Sequence, residues 1–159
     1  MLLQVWMVVL FVIVTAHISF AQQSWFWQNP RPQGNHLRAV QTITPNIIVA
    51  VGDRGTVMKS TNGGVQCTIQ YSGVSANLNG VAFIDANTGI IVGDGGTVLR
   101  TTDGGLAWVP LATGTTGPLY GVAFVNSTTG TIVGDAGLAL RTTDGGRSWT
   151  QQDPGGAST

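Results

Sequence analysis

From residue 37 onward, apolar and β-branched residues come in short runs broken by Gly, Asp, Asn and Thr, with little at the three- and four-residue spacing of a helix face. In the stretch 78–118 this pattern predicts four strands: Leu78 to Ile84, Gly89 to Val92, Thr97 to Thr102 and Leu106 to Leu111. The breaks between them carry turn chemistry. Asp85-Ala86-Asn87-Thr88-Gly89 is rich in turn formers, and Asp94-Gly95-Gly96 closes a tight hairpin in which Gly takes a positive φ. Ile90-Ile91-Val92 does not alternate with polar residues, so that strand is expected to be covered on both faces. One four-stranded sheet cannot cover both of its own faces.

The pattern repeats. Val51-Gly52-Asp53-Arg54-Gly55, Val92-Gly93-Asp94-Gly95-Gly96 and Val133-Gly134-Asp135-Ala136-Gly137 lie 41 residues apart in both steps. Leu78-Asn79-Gly80-Val81-Ala82-Phe83 returns as Leu119-Tyr120-Gly121-Val122-Ala123-Phe124, with a worn copy from Leu37 to Thr42. The units are 37–77 (degenerate), 78–118 and 119–159. Roughly forty residues per four-stranded unit is the size of a propeller blade, and stacking blades buries both faces of each. The expectation is an all-β protein of propeller-type four-stranded antiparallel blades, about three units forming an open or incomplete propeller.

The N-terminus has a different character. Leu2 to Phe20 is almost continuously apolar and ends in Ser19-Phe20-Ala21, small residues where a signal peptidase reads, so 1–21 is expected to be a signal peptide. No Lys or Arg precedes the apolar run, which leaves an uncleaved membrane anchor as the alternative. Either form exports the chain, to a secreted or periplasmic location. Residues 22–36 are then an N-terminal strand and linker, in which Trp25-Phe26-Trp27-Gln28-Asn29-Pro30 resembles Trp149 to Pro154.

Composition removes some functions. Seven Lys or Arg balance seven Asp, there is no Glu, and the net charge is zero, so no basic footprint for nucleic acid is present. His36 is the only histidine after the apolar run and each hairpin offers one carboxylate, so neither a zinc nor a calcium cage is expected and no cofactor is implied. Cys67 is the only cysteine and stands where sister units carry Trp, which suggests a buried apolar role.

Thr142-Thr143-Asp144-Gly145-Gly146-Arg147-Ser148-Trp149 matches the Asp-box pattern of bacterial neuraminidase-type repeats through Thr142, Asp144, Gly146, Ser148 and Trp149. Thr101, Asp103, Gly105 and Trp108 keep the pattern with Ala107 at the hydroxyl position; Ser60 and Gly64 keep less of it. The longer consensus across 37–159 resembles the propeller repeats of photosystem II assembly and stability factors. That resemblance implies a seven-bladed scaffold in a thylakoid lumen or periplasm, although similar repeats also occur in secreted proteins of non-photosynthetic bacteria.

An Asp box raises the question of sialidase-like catalysis, which needs a carboxylate pair or a Tyr nucleophile with an arginine cluster. Tyr71 and Tyr120 are the only tyrosines and the Asp residues mostly sit at repeated turn positions, so the chain is read as non-enzymatic. Lys59, Arg100 and Arg141, spaced by 41, form a basic row that either holds a carboxylate or an acidic segment of a protein partner, or is a solvated rim or pairs with the Asp of the next turn. Asp53, Asp94 and Asp135 form a second row, expected at the opposite rim. The functional expectation is an exported scaffold for a protein partner or for self-association; the alternative is a recognition module of a larger secreted, cell-surface or carbohydrate-active protein.

Overall fold

The computed structural model describes residues 34–153. The expected signal peptide and the Trp25 to Pro30 strand lie outside the described residues. Twelve strands form three four-stranded antiparallel sheets, each a simple meander. The first sheet holds β1 (Leu37–Thr42), β2 (Ile48–Gly52), β3 (Val57–Ser60) and β4 (Thr68–Gln70). The second holds β5 (Leu78–Phe83), β6 (Gly89–Gly93), β7 (Val98–Thr101) and β8 (Val109–Leu111). The third holds β9 (Leu119–Phe124), β10 (Gly130–Gly134), β11 (Ala139–Thr142) and β12 (Thr150–Gln152).

The first strands β1, β5 and β9 lie side by side, so the sheets are stacked as blades with β4, β8 and β12 at the outer edge. Among the described residues the three blades form an open arc, not a closed ring. Period-two alternation in the middle blade supplies two cores at once. Ile91, Leu99 and Trp108 pack against Val49, Val51 and Val57 of the first blade. Ile90, Val92 and Val98 on the other face pack against Leu119, Ile132, Leu140 and Trp149 of the third. The unbroken apolar run at Ile90-Ile91-Val92 is therefore covered from both sides, as its pattern requires.

The β2–β3, β6–β7 and β10–β11 connections are single tight turns. Gly95 takes φ +67°, and the same step is made by Arg54 (φ +56°) and Ala136 (φ +51°), which carry the Cβ that disfavours it. The fourth strand of the middle unit starts at Val109, three residues later than the pattern suggested. The cause is local: the backbone N–H groups of Leu106 and Ala107 donate to the Asp103 carboxylate and not to a strand. Cys67 is half-buried and free, a correction to the buried role expected of it. Trp108 and Trp149 each point toward the preceding blade, and no described blade precedes the first.

Candidate functional site

Each Asp box is a closed system of bonds at the β3–β4, β7–β8 or β11–β12 turn. In the third blade Thr142 donates its hydroxyl to Asp144 (2.7 Å) and accepts from the Gly146 N–H (3.0 Å). Asp144 Oδ1 then accepts from the N–H groups of Arg147 and Ser148, and Oδ2 accepts from the Ser148 hydroxyl at 2.6 Å. The second blade repeats this with Thr101, Asp103 and Gly105, but Ala107 leaves out the hydroxyl bond. The worn first box keeps the geometry, Asn62 standing in for Asp: Ser60 accepts from Gly64 and Asn62 accepts from Gln66. Charge stabilisation by donors lowers a carboxyl pKa. The Ser148 hydroxyl, aided by backbone N–H groups, holds Asp144 well below the usual carboxylate range, and the Ala107 N–H leads the same effect at Asp103.

The box tryptophans fill the space between blades. Trp108 meets Phe83 edge to face with centroids 6.0 Å apart, and Trp149 meets Phe124 at 6.0 Å. Both indole N–H groups are buried without an acceptor, so these side chains act through bulk.

The basic row is mostly spent on holding blades together. Arg100 lies on the face of β7 toward the third blade, and its Nε donates to the Gly145 carbonyl in that blade's Asp-box turn at 3.3 Å. The Lys59 ammonium sits against Gly104, the matching glycine one blade earlier. Both are half-buried, whereas Arg141 is exposed beside a shallow depression lined by Thr142, Ser148, Thr150 and Gln152.

The acidic row lies at the other end of these hairpins, and sequence reasoning missed its partners. Arg38 pairs with Asp53 and also donates to Asn79 of the second blade (3.2 Å). Asn79 donates to Asp94 (2.8 Å) and to the Leu119 carbonyl of the third blade (2.9 Å), while Asn77 holds the other Asp94 oxygen. These amide donors, Asn79 foremost, lower the Asp94 pKa. The signal was the position after Leu37, Leu78 and Leu119, where the repeat varies as Arg38, Asn79 and Tyr120. Among the described residues, no three His, Cys, Asp or Glu come together to hold a metal.

No protein-family model matches the sequence, and no curated protein matches it. Solved structures do. A Ycf48 structure bound to a D1 peptide aligns at TM-score 0.65 with 24% identity over 74% of this chain and 39% of that one. Ycf48 from Cyanidioschyzon merolae aligns at 0.66 with 23% identity over 77% and 41%. The fold is that of Ycf48-type propeller blades. An ancestral GH74 enzyme also matches, at 0.62 and 21% identity over 76% of this chain and 19% of the enzyme, as does the GH74 enzyme of Niastella koreensis at 0.58 and 22% identity over 74% and 22%. The chain thus spans about two fifths of the Ycf48 structures, and at these identities the likeness speaks to fold.

Proposed function

We propose that this chain is an exported, non-catalytic scaffold that presents the open end of a blade arc to another polypeptide. The observation that carries the reading is Arg141: its sister residues Lys59 and Arg100 are each covered by the next blade's turn, while Arg141 stands on an exposed face of the same build. Support for a non-enzymatic role comes from the carboxylates, since Asp103 and Asp144 are occupied by their own turns and Asp53 and Asp94 by side chains of the inner strands. A polypeptide ligand is in keeping with the Ycf48 structure solved with a D1 peptide. Export rests on Leu2 to Phe20 and Ser19-Phe20-Ala21, which point to a secreted or periplasmic site, or a lumenal one in a photosynthetic host. The GH74 neighbours favour a second reading, a carbohydrate-recognition module of a larger secreted protein.

A photo-reactive residue placed at position 143, exposed beside Arg141, in the exported chain separates the two. Polypeptide adducts that diminish at high salt are expected; adducts confined to oligosaccharides, or turnover of an oligosaccharide by the purified chain, would overturn the scaffold reading.

A further inference from the structure

The two internal blade junctions follow one rule. A Lys or Arg on the β3 or β7 strand reaches the positive-φ glycine of the next blade's Asp-box turn, as Lys59 reaches Gly104 and Arg100 reaches Gly145. Both glycines are buried. The rule leaves one donor and one glycine over, on opposite ends of the arc: Arg141 on the third blade and Gly63 on the first, both exposed. Gly63 is already in the receiving form. Its φ is +69° against +71° and +73° for Gly104 and Gly145, and its N–H donates to Asn46 as theirs do to Asn87 and Thr128.

Resting on the scaffold reading, we infer that the polypeptide received at Arg141 is the first blade of a second copy of this chain, docked head to tail. The rest of the two end faces matches in register. On the receiving face Thr131, Val133 and Ala139 occupy the positions of Ile90, Val92 and Val98. On the entering face Val40, Ala50, Met58 and Ile69 form one cross-strand row, the counterpart of Val81, Ile91, Leu99 and Pro110; Met58 is already buried, and Val40 and Ile69 are the exposed members. Leu37, Val40 and Ile69 are 48%, 67% and 52% exposed there, and Val133 is 51% exposed opposite, an apolar area that water leaves uncompensated. The fit is looser than inside the chain. Thr131 replaces Ile90 on one face exactly where Cys67 and Thr42 replace Trp and Phe on the other, so both sides lose bulk together. The junction is therefore reversible and weaker than the internal ones. Two copies of the described arc joined in this way at both ends count six described blades, inside the usual range of roughly four to eight for closed rings.

Sedimentation of the exported chain tests this. A dimer that dissociates on dilution is expected, and Ile69→Asp on the entering face or Val133→Asp on the receiving face should each raise its dissociation constant by about tenfold or more. Both sites are exposed, and circular dichroism of each variant should match the parent. Mixing the two variants restores one undamaged junction, so a heterodimer should form at concentrations where each variant alone is mostly monomeric. A parent chain that stays monomeric at all concentrations, a dimer indifferent to both substitutions, or a mixture that fails to complement would overturn the head-to-tail docking. A photo-adduct at position 143 with a different protein would also overturn it while leaving the scaffold reading intact.

Discussion

Arg100 in the second blade donates to the carbonyl of Gly145 in the third, across 3.3 Å, and is half-buried by doing so. A charged side chain aimed at a left-handed glycine turn ties one blade to the next through a motif that each blade also needs for its own closure. The Asp box therefore has two tasks, shaping its turn and offering that turn to a neighbour.

The first task sets the effect of losing the carboxylate. Asp144→Ala removes the acceptor for two backbone N–H groups and the Ser148 hydroxyl, and should cost about 1–3 kcal/mol in thermal unfolding. The second box lacks the hydroxyl bond, so Ala107→Ser should supply it and raise the midpoint, by about 0.5–1 kcal/mol of stability.

Acid should weaken the fold through the same groups. Asp144 and Asp103 titrate below the ordinary aspartate value of 3.8 when folded, because Ser148 and the turn N–H groups stabilise their charged forms. A depressed folded pKa gives stabilisation that is complete above the unfolded value and is lost as pH falls through 3.8 toward the folded one. Unfolding midpoints should be flat in this respect from neutrality to about pH 5 and fall below it, and Asp144→Asn should fall less steeply than the parent.

The unpaired indoles predict a contrast at Trp149. Trp149→Ala empties the space against Phe124 and should cost about 3–5 kcal/mol, whereas Trp149→Phe keeps most of the bulk and sacrifices no hydrogen bond, so its cost should stay under about 1.5 kcal/mol. Chemical denaturation of the two variants decides between bulk and bonding.

Backbone conformation and crowding separate at the neighbouring glycines of one turn. Gly95 has φ +67° and open space where a Cβ would go, so Gly95→Ala should cost only about 1–2 kcal/mol of left-handed strain. At Gly96 the same atom would come within 1.9 Å of the Thr115 carbonyl, so Gly96→Ala should be far more damaging. Similar thermal shifts for the two would contradict this geometry.

Much of this was legible because the repeat supplies its own comparison. The 41-residue spacing of Asp53, Asp94 and Asp135 fixed the unit, and turn chemistry at Asp94-Gly95-Gly96 fixed the hairpin, since both are local. The four-stranded antiparallel unit follows from those two facts. What local pattern does not contain is which blade covers which residue. Lys59, Arg100 and Arg141 are equivalent in sequence, yet the first two are covered by a following turn and the third is exposed. Cys67 likewise occupies a Trp position on a face that no described blade covers. Arg38 and Asn79 were overlooked because the repeat varies there, and the bridge to Asp53 and Asp94 depends on inner strands meeting side by side.

The interblade role of the basic row is tested most directly by thermal unfolding of Lys59→Gln, Arg100→Gln and Arg141→Gln, each measured at a dilution where self-association makes no contribution. Arg100→Gln should lose about 1–2 kcal/mol with its bond to Gly145, Lys59→Gln should lose less, and Arg141→Gln should stay within about 0.5 kcal/mol of the parent. Equal losses at all three positions, or no loss at Arg100, would contradict a row in which two members fasten blades and the third faces outward.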